Sequence, residues 1–248
     1  MTKRIFAVAV TTLMMSSAVL AAEGDHSWSM TTAVYSDYRS SASTQTNHDP
    51  ALQLSLDYAH LPTGLYASVW GSNVSWIKDM GNDAKGPVEV DLYLGKTGEF
   101  GDGFRYDGGL AVYFYPGNNV ESDHLAEGEM TSAEAYGLVG YGPVWLKYTH
   151  AITDASIDPG SKNSKEVKVG FSTALPYDFQ LKGAVGYKFL KTASDMYHWL
   201  IGVSYTFEQA YGITIGMDVV GNSRTWTGSG KAPNNTSPVF YLSKTFVF

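Results

Sequence analysis

Charged side chains recur along this 248-residue chain at alternate positions of segments whose other residues are largely apolar. Period-two spacing puts such charges on one face of an extended strand. The acids are Asp57, Glu89, Asp91, Asp107 and Asp218, drawn from segments 51–60, 88–98, 104–115 and 211–220. The bases Lys147, Lys168, Lys182 and Lys188 come from the consecutive segments 143–153, 165–175 and 178–189. Arg105 on the acidic side and Glu166 on the basic side are the exceptions. If these segments curl into a closed sheet, an acidic wall faces a basic one. A transverse field of that kind orders polar or zwitterionic solutes in a narrow passage. The alternative is that the charges pair across the interior and fill it, because buried charges are usually paired.

Other chemistries find less support. His150, with Asp154 and Ser156 close in sequence, is the best set for nucleophilic hydrolysis of a lipid. No strained nucleophile motif surrounds it, so an enzyme is not expected. The stretch from Asn118 to Glu134 carries Glu121, Asp123, His124, Glu127, Glu129 and Glu134. Oxygen-rich loops bind Ca²⁺, but this spacing follows no ligand pattern, and a solvated acidic loop is expected instead. Cysteine is absent, which removes thiol chemistry and disulfides. No cofactor and no metal site are expected. Seventeen Lys and Arg stand against 24 Asp and Glu, for a net charge of −7, which disfavours nucleic-acid binding.

The elements that must position these groups are strands. Twelve strand-like segments cover approximately 27–39, 51–60, 64–74, 88–98, 104–115, 133–141, 143–153, 165–175, 178–189, 197–207, 211–220 and 238–248. Alternation is plain in most of them. Phe179, Leu181, Val185, Tyr187 and Phe189 oppose Gln180, Lys182, Ala184, Gly186 and Lys188. Segment lengths cluster near the roughly 9–11 residues that a tilted strand needs to cross a bilayer. Connections alternate too: short ones follow the even-numbered segments and mostly longer ones the odd-numbered. That parity fits an all-β fold, a closed antiparallel up-and-down transmembrane barrel of about 12 strands, with tight turns at one end and loops at the other. Trp28, Trp76, Phe104, Trp145, Trp199, Tyr211 and Phe248 fall near segment ends, where aromatic side chains suit membrane interfaces. Tyr66 and Trp70 share a face with Ser68 and Ser72 and are open to either side of the sheet.

Both ends of the chain point to export. Lys3-Arg4, the apolar run Ile5 to Leu20 and Ala21-Ala22 make residues 1–22 a signal peptide, cleaved after Ala21 or Ala22. Residues 23–248 then form the barrel. The final segment places Phe240, Leu242, Phe246 and the terminal Phe248 on one face, as in the assembly signal of bacterial outer-membrane barrels. Lys244 interrupts this row and is expected to point outward with its head at an interface. The expected location is therefore the outer membrane of a Gram-negative bacterium. The expected partners are outer-membrane lipids, the barrel-assembly machinery and small solutes, with no nucleic acid; the sequence leaves the oligomeric state open.

Several stretches together resemble the TorF-type porin family of small bacterial outer-membrane proteins. They are Asp37-Tyr38-Arg39, Pro50-Ala51-Leu52-Gln53, Gly64-Leu65-Tyr66 with Val69 to Ser75, Glu89 to Tyr93, Tyr106 to Gly109, and Tyr113 to Gly117. Trp199 and Gly202 to Tyr205 extend the likeness into the second half. Members usually carry a glycine soon after the first-strand arginine. Here Ser40-Ser41 follow Arg39, which implies a differently shaped first loop. The resemblance implies passive transport. With twelve strands the lumen lies between the filled interior of about eight strands and the open channel of about 16–18, so a narrow or loop-constricted pore is expected. A lipid-modifying enzyme and a structural or adhesive barrel with a plugged lumen are the alternatives.

Overall fold

A computed structural model describes residues 24–77, 87–119, 129–155, 160–223 and 236–248; the expected signal peptide lies outside them. Along the described chain run β1 (His26–Tyr35), β2 (Arg39–Ser40), β3 (Ser43–Thr44), β4 (Ala51–His60), β5 (Leu65–Asn73), β6 (Val88–Phe100) and β7 (Phe104–Asn119). They are followed by β8 (Glu129–Tyr141), β9 (Val144–Ala151), β10 (Lys165–Ala174), β11 (Phe179–Phe189), β12 (Met196–Phe207), β13 (Ile213–Asn222) and β14 (Ser237–Val247). All but β2 and β3 join into one closed antiparallel barrel of twelve strands, each wall strand paired with its neighbours in the chain. β1 closes the ring between β4 and β14, in the register Ser29 opposite Val247 and Tyr35 opposite Tyr241. Phe248 extends that seam, its N–H donating to the Trp28 carbonyl at 3.0 Å. No helix among the described residues is long and apolar enough to cross a membrane, so any crossing is made by strands.

Alternation decides the two faces. Leu52, Leu54 and Leu56 of β4 are exposed on the outside, whereas Gln53 and Asp57 on the alternate face are buried. The same pattern gives Val167 and Val169 outside on β10, Val185 outside on β11, and Phe240 and Leu242 outside on β14. A continuous apolar outer wall would be an aggregation hazard in water and is what lipid contact requires. Tyr66 and Trp70, open to either face in the sequence, turn inward with Ser68 and Ser72.

The strands match the expected segments closely, and the differences lie at strand ends and in two aromatic side chains. β1 ends at Tyr35 rather than near residue 39. The Ser36 N–H still bonds the Phe240 carbonyl at 2.8 Å, but Asp37 then turns away to bind the first loop. β7 continues past Tyr115 to Asn119 through a register irregularity that absorbs Pro116 and Gly117. Two of the expected interface aromatics lie elsewhere. Trp145 is 3% exposed and points inward, since it shares the face of Lys147 and its ring covers Gly170, where a Cβ would clash. Trp76 packs edge-on against Tyr115, centroids 5.4 Å apart, within a cluster that includes buried Val74 and Ile77. Trp28, Phe104, Tyr211 and Phe248 are exposed on the outside. Lys244 follows the expected outward course; its Nζ lies 4.7 Å from the Phe246 ring centre and 5.2 Å from that of Tyr211.

Candidate functional site

The inner face holds two arcs of charge. β6, β7 and β8 carry acids, and β9, β10 and β11 carry lysines. Half the ring, six strand steps, separates Asp57 on β4 from Lys168 on β10. Every charged residue expected inside faces inward, but the charges differ in their partners. Asp57 accepts from Ser68 and, at 2.8 Å, from Ser55. Asp107 accepts from the Tyr66 hydroxyl at 2.7 Å, and Tyr66 also bonds Tyr136. Arg105 sits at the short-turn end, donating to the Gly142 carbonyl at 2.6 Å.

Ion pairs concentrate on the basic side. Lys182 Nζ meets Asp218 Oδ2 at 2.9 Å and lies 5.0 Å from the Tyr241 ring centre. The pair crosses over Gly202 of the intervening β12, where a Cβ would run into Asp218 Oδ1 and Lys182 Cε. Glu166 is a hub, with Lys168 at 3.0 Å, His198 Nε2 at 2.9 Å and Lys188 at 3.6 Å. Lys147 rests 4.8 Å from the Tyr136 ring centre, at the seam between the arcs. Among the described residues, the wall's ion pairs all lie within the β10–β13 arc, and none joins it to the acids of β6–β8. Pairing within the β10–β13 side, not across the interior, is therefore the pattern among the described residues. Asp218 nevertheless leaves the acidic set, because its partner is the adjacent Lys182.

Sequence reasoning missed several inner residues. Glu134, read as part of an acidic loop, faces inward on β8 and accepts from the Tyr113 hydroxyl at 3.0 Å. His198 and the tyrosines carried no charge signal, yet Tyr66 and Tyr93 are 4% and 3% exposed and Tyr136 packs with them. Glu121, Asp123, His124 and Glu127 of that stretch lie outside the described residues, as does Ser156.

The first loop, residues 36–50, folds into the mouth. Asp37 is buried and organises it, accepting from Arg39 Nε at 2.6 Å, Thr44 Oγ1 at 2.6 Å and Thr46 Oγ1 at 3.1 Å, with His48 Nδ1 at 3.2 Å. The β2–β3 hairpin turns through Ser41 and Ala42, at φ 46° and 61°. Both are in the left-handed region that two-residue hairpins fill most readily with Asn and Gly. The turn is thus made with side chains present at both positions. Ala42 packs with inward Val220 and Val239, and Asn222 donates to Ser43 Oγ at 3.1 Å. On the other side the Gln45 carbonyl accepts from Ser75 N–H at 2.8 Å, and Tyr38 meets Trp70 edge-on with centroids 5.3 Å apart. The loop therefore touches the β13–β14 wall and the end of β5 together.

His150 lies on the outer face of β9, bonded to the Tyr148 hydroxyl at 3.0 Å and to Asn163 Oδ1 at 3.1 Å. Asp154 instead accepts the Lys162 N–H at 2.6 Å. Among the described residues no group of His, Cys, Asp and Glu is arranged to hold a metal ion.

A family model described as a bacterial protein of unknown function (Gcw_chp) matches residues 20–246. That family name differs from the TorF-type porin family which the motifs resemble. No curated protein sequence matches. Among solved structures, the KdgM porin aligns over 90% of this chain and 99% of its own, at 8% identity and TM-score 0.51. The NanC porin aligns over 88% and 98%, at 12% identity and TM-score 0.50. Outer membrane phospholipase A from Escherichia coli aligns at 13% identity over 90% and 91%, but its TM-score of 0.44 carries no argument. These likenesses establish a porin-type barrel.

Proposed function

The chain belongs to the Gcw_chp family, and we propose that it acts as a narrow outer-membrane channel for passive diffusion of small polar or charged solutes. One observation supports this above the rest: the acidic and basic arcs of the inner wall stay separate, with ion pairs confined to the basic one. A barrel built to be solid gains most from ion pairs that tie its interior together across the wall, whereas a passage lined by carboxylates on one arc and lysines on the next gains a field that orients dipolar solutes. Asp57, Glu89, Asp91, Arg105, Asp107, Lys147, Lys168, Lys182, Lys188 and Asp218 line this path, and the first loop sets its narrowest point. The apolar outer wall supports insertion in the outer membrane, with the termini and short turns in the periplasm. Phe240, Leu242, Phe246 and Phe248 serve the assembly machinery from the outer face.

An enzymatic role has less support, because His150 is engaged by Tyr148 and Asn163 and not by Asp154. Liposome swelling tests the channel reading. Vesicles carrying the folded protein should swell in isotonic glycine or a small sugar, and progressively less as solute size rises. Swelling rates equal to those of empty vesicles for every solute would remove the channel reading.

A further inference from the structure

Beneath the first loop, the strand register stacks three rows of inward side chains. Trp70, Asp91 and Tyr113 stand opposite one another across β5, β6 and β7. Glu89 faces inward one row nearer the loop, and Glu134 one row further in, opposite the small Ala111. Tyrosine hydroxyls satisfy part of this carboxylate group: Tyr93 donates to Asp91 Oδ2 at 2.8 Å and Tyr113 to Glu134 Oε2 at 3.0 Å. Two oxygens are left over. Glu89 Oε2 and Asp91 Oδ1 are buried without a hydrogen-bond partner, on residues only 4% and 1% exposed. No ion pair among the described residues involves Glu89, Asp91 or Glu134.

We propose that Glu89 and Asp91, with Trp70 and Tyr113 in the same row as Asp91, form a binding site in the lumen for solutes carrying a primary ammonium group. Two adjacent carboxyls in a water-poor site are neutralised either by holding a proton or by taking up a cation, and oxygens without a partner accept N–H donors when a cation enters. A primary ammonium supplies both, with three donors on one charge. The aromatic side chains of Trp70 and Tyr113 in the same row leave apolar surface that suits an organic cation better than a fully hydrated inorganic one. The group is not arranged to hold a metal ion. The inference rests on the channel reading and narrows it: the acidic arc selects amines on their way through.

The test uses the full-length folded barrel in detergent at constant ionic strength set by KCl. Intrinsic tryptophan fluorescence is followed as n-butylammonium is added, with uncharged 1-butanol as the isosteric control. A saturable change with butylammonium and none with butanol is the expected result. E89Q/D91N should weaken it about tenfold or more, a change of one charge contact or greater. An equal response to butanol, or a response that survives in the double variant, overturns the site. So does no response at all, which is the outcome if the two carboxyls merely share a proton. Should the double variant fail to fold, bi-ionic potentials of the wild-type channel decide, with butylammonium expected to permeate more readily than its size alone allows. A barrel that conducts but shows no amine preference loses this inference and keeps the channel. One that binds butylammonium without conducting keeps the site and loses the channel.

Discussion

Replacing Asp37 by Ala should open the mouth. The carboxylate holds Arg39, Thr44, Thr46 and His48 at 2.6–3.2 Å, and the Arg39 and Asp37 side chains are 5% and 6% exposed. Removing one member of a buried charged pair costs roughly 3–5 kcal/mol, because the other is left without compensation. Arg39 regains water when the loop lifts, so that cost falls on the folded-in state alone. At 1.4 kcal/mol per tenfold, the lower bound shifts the loop equilibrium about a hundredfold toward the lifted state. The wall should be unaffected, since Asp37 lies beyond the end of β1. The assay is single-channel recording in planar bilayers, paired with heat-modifiable gel mobility to show that the barrel is closed. D37A should give larger conductance steps and more open-state noise than wild type, and D37N an intermediate effect. A folded D37A with wild-type conductance and noise would refute the claim that this loop forms the constriction.

Further outcomes follow from single contacts. Lys182→Glu puts a second carboxylate beside Asp218 in place of the 2.9 Å ion pair, so asymmetric-salt reversal potentials should move toward cation preference. No movement would mean that Lys182 lies off the ion path. Ser41→Gly relieves a left-handed non-glycine residue, worth about 1–2 kcal/mol, and should quieten the loop's gating noise without altering the conductance step. Gly170→Val drives a branched side chain into the Trp145 ring; overpacking of about 1–3 kcal/mol should lower the temperature at which the folded gel band disappears. Phe248→Ala should cut outer-membrane yield in cells yet leave refolding in detergent intact, because the ring is 68% exposed on the outer wall.

Much of the wall was legible because a strand's side-chain period is two and a bilayer leaves the sheet one apolar face. The segment 51–60 and the inward course of Lys182, Lys188 and Asp218 follow from that rule alone. The inside was less legible. Trp145 obeys the period, but its bulk suggested an interface until Gly170 provided room beneath the ring. Glu134 fell inside the expected segment 133–141 and was also counted with the acidic stretch before it, and that stretch is strand from Glu129 onward. The first loop escaped almost entirely. Its fold depends on one buried carboxylate and on long-range contacts from Ala42 to Val220 and from Gln45 to Ser75, for which local sequence has no period. Pairing was hidden for the same reason: alternation tells which face Asp218 takes, but not that Lys182 reaches it across Gly202.

Conductance of the purified, folded wild-type chain in a planar bilayer tests the central claim most directly. Small, discrete current steps in KCl, with slope conductance and ion preference that change on neutralising the lysine arc, are the predicted result. A membrane that stays silent although the barrel is closed and inserted would contradict it, and would make the charged interior the core of a solid barrel.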